Sequence, residues 1–527
     1  MNSKMFIIAG YGAWYSTFLL GFFILAPSTD DGYYVIASLG TALTGNPGFW
    51  IGDSFAPAFF LPTAFTYFYG FLLKLTMIFD FNFGPFGFRF YQLLFLFLLP
   101  VSSTLMLRRL FPDDHGIRLL LLLIFLSLTY FVQSAVTVRP EVLGAVLFLC
   151  FLSLREKNVT HGALPALLLA LCGSVHPNFT LLAVVVFGFG LIRNFQQFRL
   201  NNLSQWVIAT TVFTLPFAVV GIYYAINLTE FQQQTLGRAS ILSTNAWTAP
   251  AVVWKNLWFW DNDAGIAYGL FSGYPALGFL LIMFISTTLV LYRRAHLWDH
   301  ASLWLCWPIV FVQWFVFLLL PPFLPYLAFS SFLASLNVVL LWPTSQLWLP
   351  NRRLKWTLTG SGFALCLVFI VFQGGKFLLV PREWFTPAGL HSVMSPVLEN
   401  TETKLYTSNA RLIPPLIDYF SENGNIRLNF IYLSPNCLQD NLLERANQHA
   451  LTVLTKSDPQ KTYWGLSKHN SNQTEEGAVS FVTNGAQSII TLIPADEVYA
   501  DKGNLIIRAS SVTVKKDEQI CPVREKR

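Results

Sequence analysis

Apolar runs long enough to cross a bilayer, or nearly so, recur at about 5–26, 88–107, 118–137, 140–154, 161–177, 179–193, 206–226, 266–291, 301–320, 323–343 and 356–375. They predict about eleven helices, several of them short. A further segment, "APAFFLPTAFTYFYGFLLKLTMIF" (56–79), is apolar but carries Pro57, Pro62 and Lys74. After Pro381 the pattern changes to short alternating runs. "LNFIYLS" (428–434), "SIITLIP" (488–494) and "NLIIRASSVTV" (504–514) read as strands, and "LQDNLLERANQHA" (438–450) has helical periodicity. The expected fold class is therefore a polytopic α-helical membrane domain over 1–376 followed by a small soluble α/β domain over 377–527.

The polar connections between the apolar runs alternate in character. "RRLFPDDHGIR" (108–118), "REK" (155–157), "RNFQQFR" (193–199), "RRAH" (293–296) and "NRRLK" (351–355) are basic and fall at every second connection, which places them in the cytoplasm. The intervening loops, "TVRPE" (137–141), "VHPNF" (175–179), 227–265 and "PPFLPY" (321–326), then share the opposite face with the tail. With Lys4 cytoplasmic, helix 88–107 reaches its basic loop correctly only if 56–79 does not cross. That segment is read as a re-entrant or interfacial helix. The N-terminal apolar run lacks a small-x-small cleavage site and is read as a retained first helix.

Composition agrees with a membrane protein: 54% of the 527 residues are hydrophobic and 16% aromatic, and only 12% are charged, against about 25% in an ordinary soluble chain. Roughly half of the charged residues follow Pro381, as a soluble tail requires. The formal net charge of +6 comes from short cytoplasmic clusters, which disfavours nucleic acid as a partner. Cys150, Cys172, Cys306 and Cys366 lie within apolar runs and behave as small hydrophobes. Cys437 and Cys521 stand alone in the tail, where a disulfide would fit an oxidising compartment.

Chemistry concentrates on the outer face. "PSTDDGYYV" (27–35) sets Asp30 and Asp31 side by side directly after the first apolar run. An isolated acid pair is an ordinary loop start. At a membrane face it is also a functional hypothesis, because acids in contact with lipid are costly. Two neighbouring carboxylates raise one pKa toward working pH, as a general base requires. The pair "PDDHG" (112–116), in a basic cytoplasmic loop, reads as solvated.

The order of parts resembles the C-type (GT-C) superfamily of membrane glycosyltransferases. Its first external loop opens on an acid pair and contains short juxtamembrane helices, and here that pair is followed by a Gly- and aromatic-rich stretch, a short apolar helix and Phe88-Arg89. "VRPEVLGAVLFL" (138–149) is similar to the Arg-Pro-Glu turn of such enzymes and "VHPNFTLL" (175–182) to their His-Pro turn. The resemblance covers most of 1–345. Within the superfamily, "DDGYY" and the soluble tail look most similar to bacterial cell-envelope arabinofuranosyltransferases, although the tail is shorter than in their largest members. The tail lacks a Trp-Trp-Asp motif, which disfavours en-bloc transfer to asparagine.

The resemblance implies an inverting enzyme of the inner membrane, with its active site and tail on the periplasmic face. It would move one sugar, such as arabinofuranose or mannose, from a polyprenyl-phosphate donor to an envelope glycan, lipid or exported protein. Asp30 is then the base, and Asp31 orients the acceptor or Asp30's partners. Arg139, His176, Arg89, Lys255 and Arg238 are candidates for the donor phosphate, and Tyr33, Asp53, Glu141, Trp258 and Tyr326 for the substrates. Several of these have plainer readings. Arg139 and Glu141 would pin a short helix, His176 would cap a turn, Trp258 would join an interfacial aromatic belt, and Pro325 would explain the break beside Tyr326. No cofactor is expected and no metal-ligand spacing appears, since a monophosphate donor needs less metal assistance than a diphosphate. Asp30 with Asp53 is the pair left to share a divalent cation. A transporter of lipid-linked sugars and a surface-polysaccharide polymerase or ligase are the competing classes. The first predicts internal repeats, which are not seen.

Overall fold

A computed structural model describes residues 3–24, 29–51, 54–59, 61–79, 84–111, 137–154, 162–195, 203–229, 231–232, 273–292, 303–319 and 324–345. Beyond these it describes the tail strands named below and positions 388, 391 and 414. The chain forms two compact units. One comprises Met1–Phe22, Gln92–Leu228 and Arg238–Pro381, and the other Phe23–Tyr91, Thr229–Gly237 and Arg382–Arg527. The second unit thus combines the tail with stretches that the one-dimensional pattern assigns to the membrane domain.

The helices follow the apolar runs closely. In chain order they are α1 (Ser3–Ile24), α2 (Thr29–Thr44), α3 (Thr63–Ile78), α4 (Phe90–Leu110), α5 (Glu141–Leu154) and α6 (Ala163–Val175). These are followed by α7 (Pro177–Phe195), α8 (Leu203–Ile226), α9 (Gly273–Tyr292), α10 (Cys306–Leu319) and α11 (Leu324–Ser345). The helical runs Pro85–Leu110, of 26 residues, and Leu203–Ile226, of 24, are long and apolar enough to cross a membrane. Helix α8 leaves Val207, Ile208, Leu215, Val219, Ile222 and Ile226 more than half exposed, a surface suited to lipid rather than water. These helices and the composition make the chain a polytopic helical membrane protein. The predicted spans 118–137 and 356–375 lie outside the described residues.

Polar contacts join helices in the first unit. On α10, Gln313 donates through Nε2 to the Met283 carbonyl at 3.2 Å, and its own carbonyl accepts from the Ser330 hydroxyl of α11 at 3.0 Å. Trp314 Nε1 donates to Thr287 Oγ1 on α9 at 2.7 Å. Such bonds are a main source of helix association where the surroundings are as apolar as the side chains. Side-chain packing adds to them: the Phe179 ring of α7 lies against the α5 backbone at Gly144, where a Cβ would be 2.6 Å from it.

In the second unit, α2 and α3 pack against each other along most of their length. Pro62, extended at φ −60°, ψ 106°, precedes the first turn of α3. Sixteen residues give about 24 Å of helix, short of a hydrocarbon core of about 30 Å. Phe65, Tyr69 and Leu73 face inward with Thr66 and Gly70, one buried stripe at helical spacing.

Helix α2 was read from sequence as a loop start and a Gly- and aromatic-rich stretch; it is a buried helix. It ends at Gly45, whose φ of +83° and N–H bond to the Thr41 carbonyl at 2.8 Å close the last turn. The chain then forms the antiparallel strands β1 (Gly48–Ile51) and β2 (Ser54–Pro57).

These two strands join the tail's sheet, where β3 (Lys404–Thr407), β4 (Leu428–Phe430), β5 (Leu451–Lys456), β6 (Leu466–Lys468), β7 (Val479–Thr483), β8 (Ser488–Asp501) and β9 (Asn504–Lys516) follow. The order across the nine-stranded sheet is β2-β1-β4-β3-β5-β9-β8-β7-β6. Strand β1 meets β4 in parallel at Trp50 and Asn429. The register of β8 against β9 shifts at Pro494, which has no N–H to donate. The predicted helix 438–450 and both tail cysteines lie outside the described residues.

Candidate functional site

Thr29, Asp30 and Asp31 form the first turn of α2, where the positive end of the helix dipole favours carboxylates. Asp31 is fully buried. Its Oδ2 accepts from Nη2 of Arg89 at 3.0 Å, and both side chains are 0% exposed. Arg89 is the last residue of a 3-10 turn, Gly84–Arg89, and the guanidinium carbon lies 4.9 Å from the centre of the Phe88 ring.

The turn is braced from α3, where Tyr69, also fully buried, donates its hydroxyl to the Phe88 carbonyl. Burial first, and then the Asp31 carboxylate, push the Tyr69 hydroxyl well above its ordinary pKa, so it stays a donor. Tyr91 adds a second brace, donating to the Leu72 carbonyl of α3 at 2.8 Å and lying 2.6 Å from the Thr76 hydroxyl. Within the same unit Phe86 meets Phe23 edge to face, with centroids 5.0 Å apart.

A second cluster belongs to the first unit. Arg139 stands before Pro140, a position that disfavours helix. Through Nε and Nη2 its guanidinium grips both oxygens of Glu141, at 3.0, 3.2 and 2.7 Å. The two side chains are 16% and 7% exposed. This is the fork geometry in which arginine binds a carboxylate most strongly. Gln92 holds the same turn from α4, its Nε2 donating to the Arg139 carbonyl at 3.1 Å.

His176 links α6 to α7 in extended backbone at φ −159°, ψ 141°, as its place before Pro177 dictates. Its Nδ1 accepts from the Asn178 N–H at 3.2 Å and its carbonyl from the Thr180 N–H at 2.9 Å. The imidazole thus caps the first turn of α7 and also interacts electrostatically with Glu141.

The predicted site residues are therefore brought together in two sets, Asp31 with Arg89 and Arg139 with Glu141 and His176. Tyr33 is half-buried on α2, and Tyr326 belongs to the first turn of α11. Asp53, Arg238, Lys255 and Trp258 lie outside the described residues, as do the side chains of Asp30 and Tyr326. Among the described residues no three His, Cys, Asp or Glu side chains cluster as a metal site would require. Sequence reasoning missed Tyr69 and Gln92. Both face inward on otherwise apolar helices, and that isolated polarity was the available signal.

No family model matches the chain, and no curated protein matches it. Solved structures do. The chain is similar to the crystal structure of ArnT from Cupriavidus metallidurans bound to undecaprenyl phosphate, over 96% of this chain and 97% of that one, with a TM-score of 0.49 at 11% identity. The apo state of ArnT gives a TM-score of 0.48 over the same shares. The cryo-EM structure of the arabinosyltransferase EmbB from Mycobacterium smegmatis is similar over 89% of this chain and 46% of that one, with a TM-score of 0.38 at 13% identity.

Proposed function

We propose that the chain is an inverting membrane glycosyltransferase that moves a single sugar from a polyprenyl-phosphate donor to an acceptor hydroxyl at the outer face of the membrane. The observation that carries this reading is the acid pair in the first turn of α2, directly after the first apolar helix and held by a buried arginine. Support also comes from the Arg139–Glu141–His176 cluster at the "VRPE" and "VHPN" turns.

In the proposed step the acceptor oxygen attacks the anomeric carbon from the side opposite the phosphate. The carbon–oxygen bond to phosphate breaks with its electron pair, and the acceptor proton passes to the Asp30 carboxylate. Polyprenyl phosphate leaves, and cationic groups meet its developing charge. Lys255 and Arg238, with Arg139 and His176, are the candidates for that task, while Tyr33, Glu141, Trp258 and Tyr326 are candidates for holding the sugar or acceptor. Arabinofuranose or mannose would be the sugar, and an envelope glycan, lipid or exported protein the acceptor. No cofactor is needed for this step; a divalent cation, if used, would bridge Asp30 and Asp53.

The test is transfer of radiolabelled sugar from a panel of polyprenyl-phosphate sugars to envelope extract, with wild type beside Asp30→Asn. Label moved by wild type alone is the expected result. Turnover by the variant at the wild-type rate would remove Asp30 from the base role. Movement of lipid-linked sugar across liposomes without transfer would make the protein a transporter.

A further inference from the structure

The sequence resemblance has Asp31 orient the acceptor or Asp30's partners and makes Arg89 a candidate for the donor phosphate. Their surroundings suit a different task. We propose, on the footing of the transferase reading above, that Asp31 and Arg89 are positioning residues. Their ion pair clamps the first turn of α2 to the turn Gly84–Arg89, fixing the direction of Asp30 without touching donor or acceptor.

Burial and charge argue for the clamp. A phosphate ligand must present its N–H groups to the substrate, but Arg89 is 0% exposed and one face of its guanidinium lies against Phe88. Its charge is met by a carboxylate that is equally buried. Turning Arg89 toward a phosphate would break an ion pair whose two side chains are both fully buried, an outcome far costlier than loss of a surface pair.

Mechanics argue the same way. The bond joins positions far apart in sequence, 31 and 89, and the turn that carries Arg89 is itself held through the Tyr69 bond to the Phe88 carbonyl and the Phe23–Phe86 contact. Successive helical positions are about 100° apart around the axis. Holding position 31 against the turn therefore fixes the orientation of position 30 on the neighbouring face. The acid pair divides its labour: Asp31 is committed inward, and the proton-accepting role falls to Asp30 alone.

The clamp is tested with full-length Asp31→Asn, Arg89→Gln and the double variant. Two quantities are read: kcat and donor KM with a polyprenyl-phosphate sugar that wild type uses, and the thermal midpoint in detergent. Each single variant is expected to lower kcat by about tenfold while donor KM stays within about threefold. The double variant is expected to exceed both singles in midpoint, because both members of the buried pair go together, and to lose no more kcat than the worse single, because each single already breaks the same clamp. A rise in donor KM of about tenfold with kcat intact in Arg89→Gln would make Arg89 a phosphate ligand and overturn the clamp. Strictly additive losses in the double variant would overturn it too.

If Asp31→Asn fails to accumulate, Asp31→Glu keeps the charges but lengthens the arm. A lowered kcat at an unchanged midpoint supports the clamp, and an unchanged kcat refutes it. If wild type transfers sugar from no donor, the transferase reading falls separately. The midpoints then decide the clamp, with sub-additive losses supporting it and additive losses refuting it.

Discussion

Gly70 offers a sharp test of how the acid-bearing helix is held, because the sign of the effect depends on the tertiary structure. Glycine in a helix interior ordinarily costs about 0.5–1 kcal/mol relative to alanine, so Gly→Ala there stabilises. A Cβ at position 70 of α3, however, would lie 2.5 Å from the Ser38 carbonyl oxygen and 2.5 Å from the Thr41 Cβ of α2. Neither atom is the end of a flexible side chain, so the two helices must separate by about 1 Å to restore ordinary contact. Overpacking of this kind costs about 1–3 kcal/mol, which outweighs the gain in helix propensity. Gly70→Ala should therefore lower stability by about 1–2 kcal/mol, and Gly70→Val by more. Gly12→Ala on α1, where nothing lies within 4 Å of the new methyl, should leave stability unchanged or raised. Thermal unfolding of the three purified variants in one detergent measures the order. A Gly70→Ala midpoint at or above wild type would refute the close α2–α3 approach and the clamp geometry built on it.

Other expectations follow from the same contacts. Tyr69→Phe removes the donor to the Phe88 carbonyl and should cost about 1–3 kcal/mol, the penalty of an orphaned buried acceptor, read by thermal unfolding. The folded-state pKa of Tyr69 is raised above its ordinary 10.0, so wild-type stability is full below pH 10.0 and falls as pH climbs from there toward the folded value. Tyr69→Phe should lose less stability across that window, and equal losses would refute the burial of the hydroxyl. Glu141→Gln takes from the Arg139 guanidinium the carboxylate charge it grips and should destabilise by about 3–5 kcal/mol, as breaking a buried ion pair does. The double variant Arg139→Gln with Glu141→Gln should recover part of that loss in the same assay. Gln313→Leu breaks its bond to the Met283 carbonyl and should cost about 0.6–1.7 kcal/mol, the range for polar contacts between membrane helices.

Much of the helical architecture was legible because its signal is local. An apolar run commits the backbone to helix wherever water is absent, and prolines mark where such runs begin. Pro62 precedes α3 and Pro177 opens α7, at positions where the missing N–H costs nothing. Helix α2 was not, because its glycines and tyrosines carry little propensity and its helical state comes from burial against α3. Strand β1 was missed for a related reason, since its pairing with β4 involves residues far along the chain.

The sequence by itself determined that this is a many-helix membrane protein with acids, arginine and histidine at helix starts. Residue type and spacing dictate both apolar length and the cost of charge. Tertiary structure alone decided which charges meet. Nothing in the spacing of Asp31 and Arg89 requires them to pair, yet once both are buried each is the other's compensation. For Arg139 and Glu141, two residues apart, pairing was already the plainer reading of the sequence, but its geometry was not. Packing made them a bidentate pair beside His176, because a charge taken out of water is costly unless another group meets it.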